Sequence, residues 1–251
     1  MIVGIDIGNT TVEIGFIYSK EKIKSYKLKT DINKTADDWF LDFYQITKLE
    51  GKEIKDFVVS SVVPQVETKI SKAVKRLSNK NPLIIGKDIY IPIKNNYKNP
   101  EEVGIDRLVN AYATIEEYGY PSVVIDFGTA ITFDVISVEG EYEGGAIFPG
   151  IEASINALFS KTAKLPAVDL SQIKGVVGKT TSQSIKSGIY YGYLSLVEGM
   201  IDRINRETGY KNKVVITGGN GKLISEGIKV PSIHDRYLTM KGILFIYMQS
   251  I

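Results

Sequence analysis

The chain has 251 residues, of which 43% are hydrophobic and 24% are charged, as in an ordinary globular protein of one large or two modest domains. Its net charge of +2 is too small to favour nucleic acid or a membrane surface as a partner. The lack of cysteine excludes disulfides, thiolate catalysis and cysteine metal ligands. No apolar run reaches the roughly 18 residues that span a bilayer, so we expect a cytoplasmic protein.

The first half of the chain predicts alternating strands and helices. A helix over residues 35–48 places Trp39, Phe40, Phe43 and Ile46 on one face, which indicates a core position for Trp39. The remaining elements follow from apolar runs, a proline that opens a helix and short polar breaks. They are strands at residues 2–7, 12–18, 24–29, 56–64 and 82–86, and helices at 64–77 and 104–118.

The second half repeats the opening pattern of the first. It predicts strands at residues 122–126, 131–138 and 142–148, a strand followed by a Gly-rich turn in "KVVITGGNG", and helices at 150–159, 181–207 and 238–249. The long helix is expected to bury a stripe of apolar side chains, namely Ile185, Ile189, Tyr193, Leu196 and Met200.

The repeat is visible in the residues themselves. Shifting "GIDIGNTTVEIGF" by 120 positions places Asp6 and Gly8 on Asp126 and Gly128 of "VIDFGTAITFDVI". A period of 120 residues is too long for a solenoid and fits a duplicated domain with a cleft between the copies. We therefore predict domains at residues 1–118 and 119–251, with the last helix, about 238–250, able to pack on the first domain.

Each acidic turn carries groups suited to a nucleotide. The carboxylate follows a strand, where α/β folds tend to bind ligands, and the glycine lets the backbone come close. Backbone N–H groups and hydroxyls suit phosphate oxygens, and a carboxylate suits hydrated Mg²⁺. The alternative is a plain tight turn after a strand, which a single copy would favour and two copies in equivalent places do not.

Other motifs are weaker. The glycines of "ITGGNG" and "GGAIFPG" leave room for a flat ring or an anion. "GVVGKTTS" lacks the glycine spacing of a phosphate-binding P-loop. The single histidine, His234, leaves little material for a zinc site or a Ser-His-Asp triad and is interpreted as a loop residue.

"GIDR" places Asp106 beside Arg107 at a predicted helix start. An aspartate there can accept a hydroxyl proton during phosphoryl transfer, and an arginine can bind a carboxylate through two parallel hydrogen bonds. The alternative is a helix-capping aspartate with a solvent-exposed arginine.

Seven motifs in this order resemble the type III pantothenate kinases, members of the superfamily of acetate and sugar kinases, heat-shock 70 proteins and actin. The resemblance covers almost the whole chain. The motifs are "DIGNT", "SSVVP", "YKNPEEVGIDR", "DFGTAITFD", "GGAIFPG", "GKTTSQSIKSGIYYG" and "TGG".

The resemblance implies an α/β fold of two similar actin-like (ribonuclease H-like) domains, with mixed sheets flanked by helices and a cleft between them. It implies ATP-dependent phosphorylation of pantothenate to 4′-phosphopantothenate, the first step of coenzyme A biosynthesis. It also implies Mg²⁺, a monovalent cation (K⁺ or NH₄⁺) and a homodimer with shared sites.

Site residues are carried over from the family motif by motif. Asp106 is implied as the general base, Asp126 as the ligand of the monovalent cation and Asp6 as the residue near Mg²⁺. The implied ATP-binding residues are Asp6, Ile7, Gly8, Asn9, Thr10, Thr11, Val12, Glu13 and Thr129. The implied pantothenate-binding residues are Tyr97, Gly104, Ile105, Asp106, Arg107 and Thr181, with Thr181 chosen over Thr180. The sites shared between subunits in the family allow Thr181 to reach the pantothenate of a neighbouring subunit.

Two alternative functions remain open from the sequence. One is an actin-like nucleotide-binding regulatory protein without catalysis, and the other is a kinase or phosphatase of the same superfamily acting on another small molecule. The intact Asp6, Asp106, Arg107 and Asp126 argue against the first, and the "GIDR" and "YKNP" strings argue against the second.

Overall fold

The structure is a computed structural model that describes residues 1–160 and 173–251. The chain divides into two compact units, Met1–Tyr118 with Tyr237–Ile251, and Gly119–Arg236. The helices and strands up to Tyr118 are β1 (Ile2–Ile7), β2 (Thr11–Ser19), β3 (Lys22–Lys29), α1 (Ala36–Glu50), β4 (Phe57–Ser61), α2 (Pro64–Ser78), β5 (Leu83–Ile84) and α3 (Ile105–Tyr118). Those that follow are β6 (Ser122–Phe127), β7 (Ala130–Ile136), β8 (Tyr142–Pro149), α4 (Ile151–Ser160), α5 (Thr181–Thr208), β9 (Lys213–Gly218), α6 (Gly221–Ser225), β10 (Ser232–His234) and α7 (Leu238–Gln249).

The two sheets share one topology. The first has the strand order β3-β2-β1-β4-β5 and the second has β8-β7-β6-β9-β10. In each, the central strand pairs antiparallel with the strand that follows it and parallel with the next strand after a helical segment. The predicted α/β class with two mixed sheets flanked by helices is therefore confirmed.

Helices cover both faces of the first sheet. Alternate residues of β1 point to opposite faces, and Ile5 and Ile7 join Trp39 of α1 and Ile70 of α2 in one buried apolar cluster. On the other face, a side chain at Gly4 would touch Ile243 and Met240 of α7. Helix α1 begins with a capping box, in which Thr35 and Asp38 bond each other's backbone N–H groups.

The closing helix α7 holds α3 in place. At Gly242 the two helices come so close that an added Cβ would lie 2.5 Å from the Val109 carbonyl oxygen. The Thr239 hydroxyl donates to the Asn110 side-chain oxygen at 2.8 Å, and Lys241 forms a 3.2 Å ion pair with Glu117. Helix α3, whose first turn carries Asp106, is thereby held against the closing helix along most of its length.

Most predicted elements are present within a few residues, but three details differ. The short elements α6 and β10 were not predicted, and His234 lies at the end of strand β10 instead of in a loop. Of the predicted apolar stripe of α5 only Tyr193 is fully buried. The buried apolar side chains of α5 are Tyr190, Tyr193, Leu194, Val197 and Ile201. Apart from Tyr193, each lies one position after a residue of the predicted stripe. The neighbouring positions are also apolar, so spacing alone could not choose between them.

Candidate active site

The first acidic turn joins β1 to β2 and is held rigidly by β3. The Gly8 N–H donates to the Thr11 carbonyl at 3.0 Å, which closes the turn. Thr30, just after β3, donates its N–H to the Thr10 carbonyl at 2.9 Å and its hydroxyl to the Gly8 carbonyl at 2.7 Å. Asn9 and Thr10 are exposed. The turn therefore presents an amide, a hydroxyl and main-chain groups in a fixed arrangement suited to phosphate.

The predicted ATP-binding residues around this turn fall into two groups. Ile7 and Val12 are fully buried in the apolar core, so only their main-chain groups are available to a ligand. Asp6 and Thr11 are partly exposed, and the Glu13 carboxylate forms a 3.2 Å ion pair with Lys27.

The second acidic turn has one residue fewer between its strands. In the first sheet Ile7 pairs with Val12, whereas in the second Phe127 pairs with Ile131. Thr129 is exposed at the tip of this shorter turn, and Asp126 is partly exposed at its base. The loss of one residue removes the position that Asn9 or Thr10 fills in the first copy.

A glycine stands beside the Asp126 carboxylate. Gly218, at the end of β9, has φ +88, and an added Cβ would lie 2.5 Å from the Asp126 carboxylate oxygen. The Gly219 N–H donates to the Phe127 carbonyl at 3.1 Å. The "TGG" motif therefore keeps the space next to Asp126 free of a side chain, a role that its sequence signal alone did not reveal.

Asp106 lies in the first turn of α3 and is held by its neighbours. Its carboxylate accepts the Arg107 N–H at 2.8 Å. An added Cβ at Gly104 would lie 2.5 Å from the same carboxylate oxygen, so only glycine leaves this oxygen where it is. The helix starts here because the Gly104 carbonyl accepts the N–H of Arg107 at 3.1 Å.

Burial raises the pKa of Asp106 above its ordinary value. The hydrogen bond from the Arg107 N–H and the positive charge of Arg107 act in the opposite direction but do not cancel the effect of burial. A carboxylate with a raised pKa is a stronger proton acceptor, which is what a general base requires.

The other predicted pantothenate residues of the first unit lie in the first turn of α3 and in the segment before it. Arg107 is only 9% exposed, which rejects the alternative of a solvent-exposed arginine. The Ile105 side chain packs over Gly86, consistent with a main-chain role at the site. Tyr97 is partly exposed, and its N–H donates to the Asn95 side chain at 3.0 Å.

The two threonines before α5 have different environments. The Thr180 hydroxyl caps the helix by accepting the Gln183 N–H at 3.2 Å. Thr181 is the first residue of the helix and is exposed. Thr181 is thus the better candidate for contact with a substrate, since the hydroxyl of Thr180 already has a structural partner.

Comparisons with known proteins agree with the motifs. The family model of type III pantothenate kinase matches residues 2–203. The chain belongs to the type III pantothenate kinase family. A type III pantothenate kinase of Persephonella marina is 58% identical over 250 residues, covering 98% of each chain. One of a Sulfurihydrogenibium species is 52% identical, covering 98% of this chain and 99% of the relative.

Solved structures share the fold at lower identity. A conserved putative Baf family transcriptional activator from Campylobacter jejuni superposes with a TM-score of 0.63 at 21% identity, covering 99% of this chain and 98% of that one. The activator of 2-hydroxyisocaproyl-CoA dehydratase from Clostridium difficile, solved with bound ADPNP, gives 0.54 at 12% identity, with 99% and 95% covered. At such identities the likeness establishes the fold of this kinase family member and nothing finer.

The raised pKa of Asp106 predicts that Asp106→Asn stabilises the ligand-free protein at pH 7. A carboxyl group with a pKa higher in the folded than in the unfolded protein contributes stability fully below its unfolded pKa and loses it as pH rises through the folded pKa. Denaturant unfolding at pH 7 and near pH 4 should show an advantage of the variant at pH 7 that shrinks on acidification.

Asp38→Asn is the matched control with the opposite sign. Hydrogen bonds from the backbone and side chain of Thr35 lower the pKa of Asp38, so its contribution is present at neutral pH and lost as pH falls through the folded pKa. This variant should be less stable than the parent protein at pH 7. An Asp106→Asn protein that is also less stable at pH 7 would contradict the assigned environment of Asp106.

Proposed function

We propose that this chain transfers the γ-phosphoryl group of ATP to pantothenate, the first step of coenzyme A biosynthesis, with Asp106 as the general base. The observation that carries this is the placement of Asp106: partly buried at the start of α3, beside Arg107, with a raised pKa. Family membership decides the reaction over a catalytically silent regulator or a kinase for another acceptor.

The proposed step is a displacement of ADP from the γ-phosphorus by the hydroxyl of pantothenate. The primary hydroxyl oxygen of pantothenate forms a bond to the γ-phosphorus, and the bond from that phosphorus to the bridging β–γ oxygen breaks, releasing ADP. Asp106 accepts the hydroxyl proton as the oxygen attacks. Arg107, a buried guanidinium beside this base, is suited to hold the carboxylate of pantothenate. Tyr97, Gly104 and Ile105 are the other residues of the first unit proposed to bind pantothenate. Thr181 is proposed as a further contact, supplied within a dimer with shared sites.

We assign the ATP phosphates to the first turn, whose main chain is fixed by Thr30 and whose Asn9 and Thr10 are exposed. Asp6 fits Mg²⁺ held mainly by phosphate oxygens and water, because Mg²⁺ commonly takes only one or two protein carboxylates. Within residues 1–160 and 173–251 there is no group of three or more His, Cys, Asp or Glu side chains that could hold a metal ion by itself. Bound Mg²⁺ would neutralise charge that develops on the phosphates. Thr129 is proposed to contact ATP from the second unit.

Replacing the proposed base, Asp106, tests its role in phosphoryl transfer. Asp106→Asn is expected to lower kcat by about 10²–10⁴, the usual contribution of general acid–base catalysis, with little change in ATP affinity. A coupled ADP-release assay measures kcat, and calorimetry with a nonhydrolysable ATP analogue measures binding. Asp38→Asn, an exposed capping aspartate of the same unit, should keep its kcat. Near-normal turnover of Asp106→Asn would exclude this residue as the base.

We propose Asp126 as the ligand of a monovalent cation, K⁺ or NH₄⁺. Its carboxylate lies against the backbone of Gly218, where an added Cβ would come within 2.5 Å of the carboxylate oxygen, so glycine at this position keeps a side chain off the carboxylate. A monovalent ion here would neutralise the charge of the Asp126 carboxylate.

Replacing Asp126 by Asn should reduce stimulation of the reaction by K⁺ or NH₄⁺ by about tenfold or more, the effect expected on disturbing a metal site. Initial rates measured in K⁺, NH₄⁺ and Na⁺ buffers of equal ionic strength test this. Asp202→Asn, which alters an exposed helix ion pair with Arg206 in the same unit, is the matched control. Unchanged cation dependence in Asp126→Asn would place the cation elsewhere.

We also propose a homodimer. Large apolar side chains are exposed on the second unit, including Ile147 (63%) and Phe148 (41%) on β8, and Val177 (78%) before α5. Exposed apolar groups of this kind favour an interface. Light scattering should give twice the 27.8 kDa chain mass, and Phe148→Glu should shift it toward the monomer. A monomer mass for the unaltered protein at assay concentration would refute the dimer.

A further inference from the structure

Ser60 is a buried hydroxyl residue that the assignments above leave without a role. It lies in β4 with 0% of its surface exposed, and its hydroxyl oxygen has no hydrogen-bond partner among the described residues. A buried hydroxyl without a partner lowers stability, so native proteins seldom keep one without a reason. Ser60 therefore needs an explanation.

The register of the sheet places Ser60 next to Asp6. Strands β1 and β4 are parallel, and Asp6 is the direct partner of Ser60. Ile5 and Ile7 of β1, with Phe57 and Val59 of β4, point into the apolar cluster under α1 and α2. Asp6 and Ser60 alternate with these residues, so both lie on the opposite face of neighbouring strands about 4.8 Å apart.

The second sheet repeats this pairing. Asp126 of β6 is the direct partner of Thr217 of the parallel strand β9, and Thr217 is only 2% exposed. Each acidic turn therefore has a buried hydroxyl residue beside its carboxylate on the neighbouring strand. The duplicated feature is a carboxylate with a hydroxyl, and not the Asp-x-Gly turn alone.

We propose that Ser60 is a positioning residue for Asp6, donating its hydroxyl hydrogen to the Asp6 carboxylate when Mg²⁺ and ATP occupy the first turn. This inference rests on the proposed ATP site at Asp6. A carboxylate that faces a metal-bound water through one oxygen can accept a hydrogen bond at the other, and such a bond fixes its orientation. The hydroxyl then gains in the loaded state the partner that it lacks in the structure.

The test is Ser60→Ala, studied by Mg²⁺ titration in the presence of a nonhydrolysable ATP analogue. We expect about tenfold weaker apparent Mg²⁺ affinity, within the range typical for loss of a residue that orients a metal-facing group. The ligand-free protein should be at least as stable as the parent, since an unpaired hydroxyl is removed. The rise in melting temperature produced by Mg²⁺ and the analogue should be smaller than in the parent.

Ser122→Ala is the matched control. Ser122 is also 0% exposed, and its hydroxyl also lacks a hydrogen-bond partner among the described residues. Its strand partners are Ile136 and Lys213, so no carboxylate lies opposite it. This variant should show the same change in ligand-free stability with unaltered Mg²⁺ affinity. Ser60→Thr, which copies Thr217, should restore the affinity that Ser60→Ala loses.

Asp6→Asn separates failure of this inference from failure of the proposed site. If Asp6→Asn weakens Mg²⁺ binding and Ser60→Ala does not, the role of Ser60 is refuted and the ATP site stands. If neither variant changes binding, the ATP site at Asp6 is refuted together with the role of Ser60. Equal losses in Ser60→Ala and Ser122→Ala would show a general effect of packing and also refute the positioning role.

Discussion

The parallel pairing of each central strand with the strand after the next helical segment is the constraint on which the candidate site depends. Because β1 and β4 run in the same direction, their carboxyl ends meet at one edge of the first sheet. That edge is where α/β folds place ligands. The same pairing in the second sheet brings Asp126 beside Thr217 and puts Gly218 against the Asp126 carboxylate. Without the parallel pairing, Asp6 would not lie beside Ser60, nor Asp126 beside Thr217, because each pair is far apart in sequence.

The two copies of the acidic turn differ in length by one residue, and this difference changes which polar groups each turn exposes. The longer first turn has Asn9 and Thr10 exposed and is held to Thr30 through two hydrogen bonds. The shorter second turn exposes Thr129 and has a carboxylate lined by glycine backbone. A turn with more donors suits phosphates, and a carboxylate that no neighbouring side chain covers at Gly218 is a candidate ligand for an ion. The shared topology gives both turns the same frame, and the difference in length changes which groups each one offers to a ligand.

Sequence patterns predicted well those features that local forces dictate. Strands with apolar runs and helices with capping residues or an opening proline have nearly the predicted limits, since each signal acts within a few residues. The stripe of α5 was displaced by one position because Ile189 and Tyr190, like Leu196 and Val197, are apolar neighbours. Only packing against the sheet decides which of the two is buried. The strand β10 was missed because its pairing with β9 is a tertiary contact.

At the candidate site, sequence named the proposed reactive groups but not the residues that surround them. "GIDR" named Asp106 and Arg107, yet the need for glycine at position 104 appears only when a Cβ is seen to collide with the Asp106 carboxylate. Ser60 belonged to a motif with no assigned role until its burial and its register with Asp6 were known. Long-range register and burial are not encoded in any short window of residues.

Burial of the proposed base, Asp106, also affects the stability of the folded protein. Burial raises the pKa of Asp106, so at neutral pH the folded protein must hold a carboxylate that would be better hydrated in the unfolded chain. The cost is offset elsewhere in the first unit, where α7 packs on α3 through Gly242 and ties it down through Thr239 and Lys241. The end of the chain thus stabilises the helix whose first turn carries an unfavourable charge. Asp106 can keep this unfavourable burial only because the packing of α3 against α7, formed by residues far apart in sequence, offsets its cost.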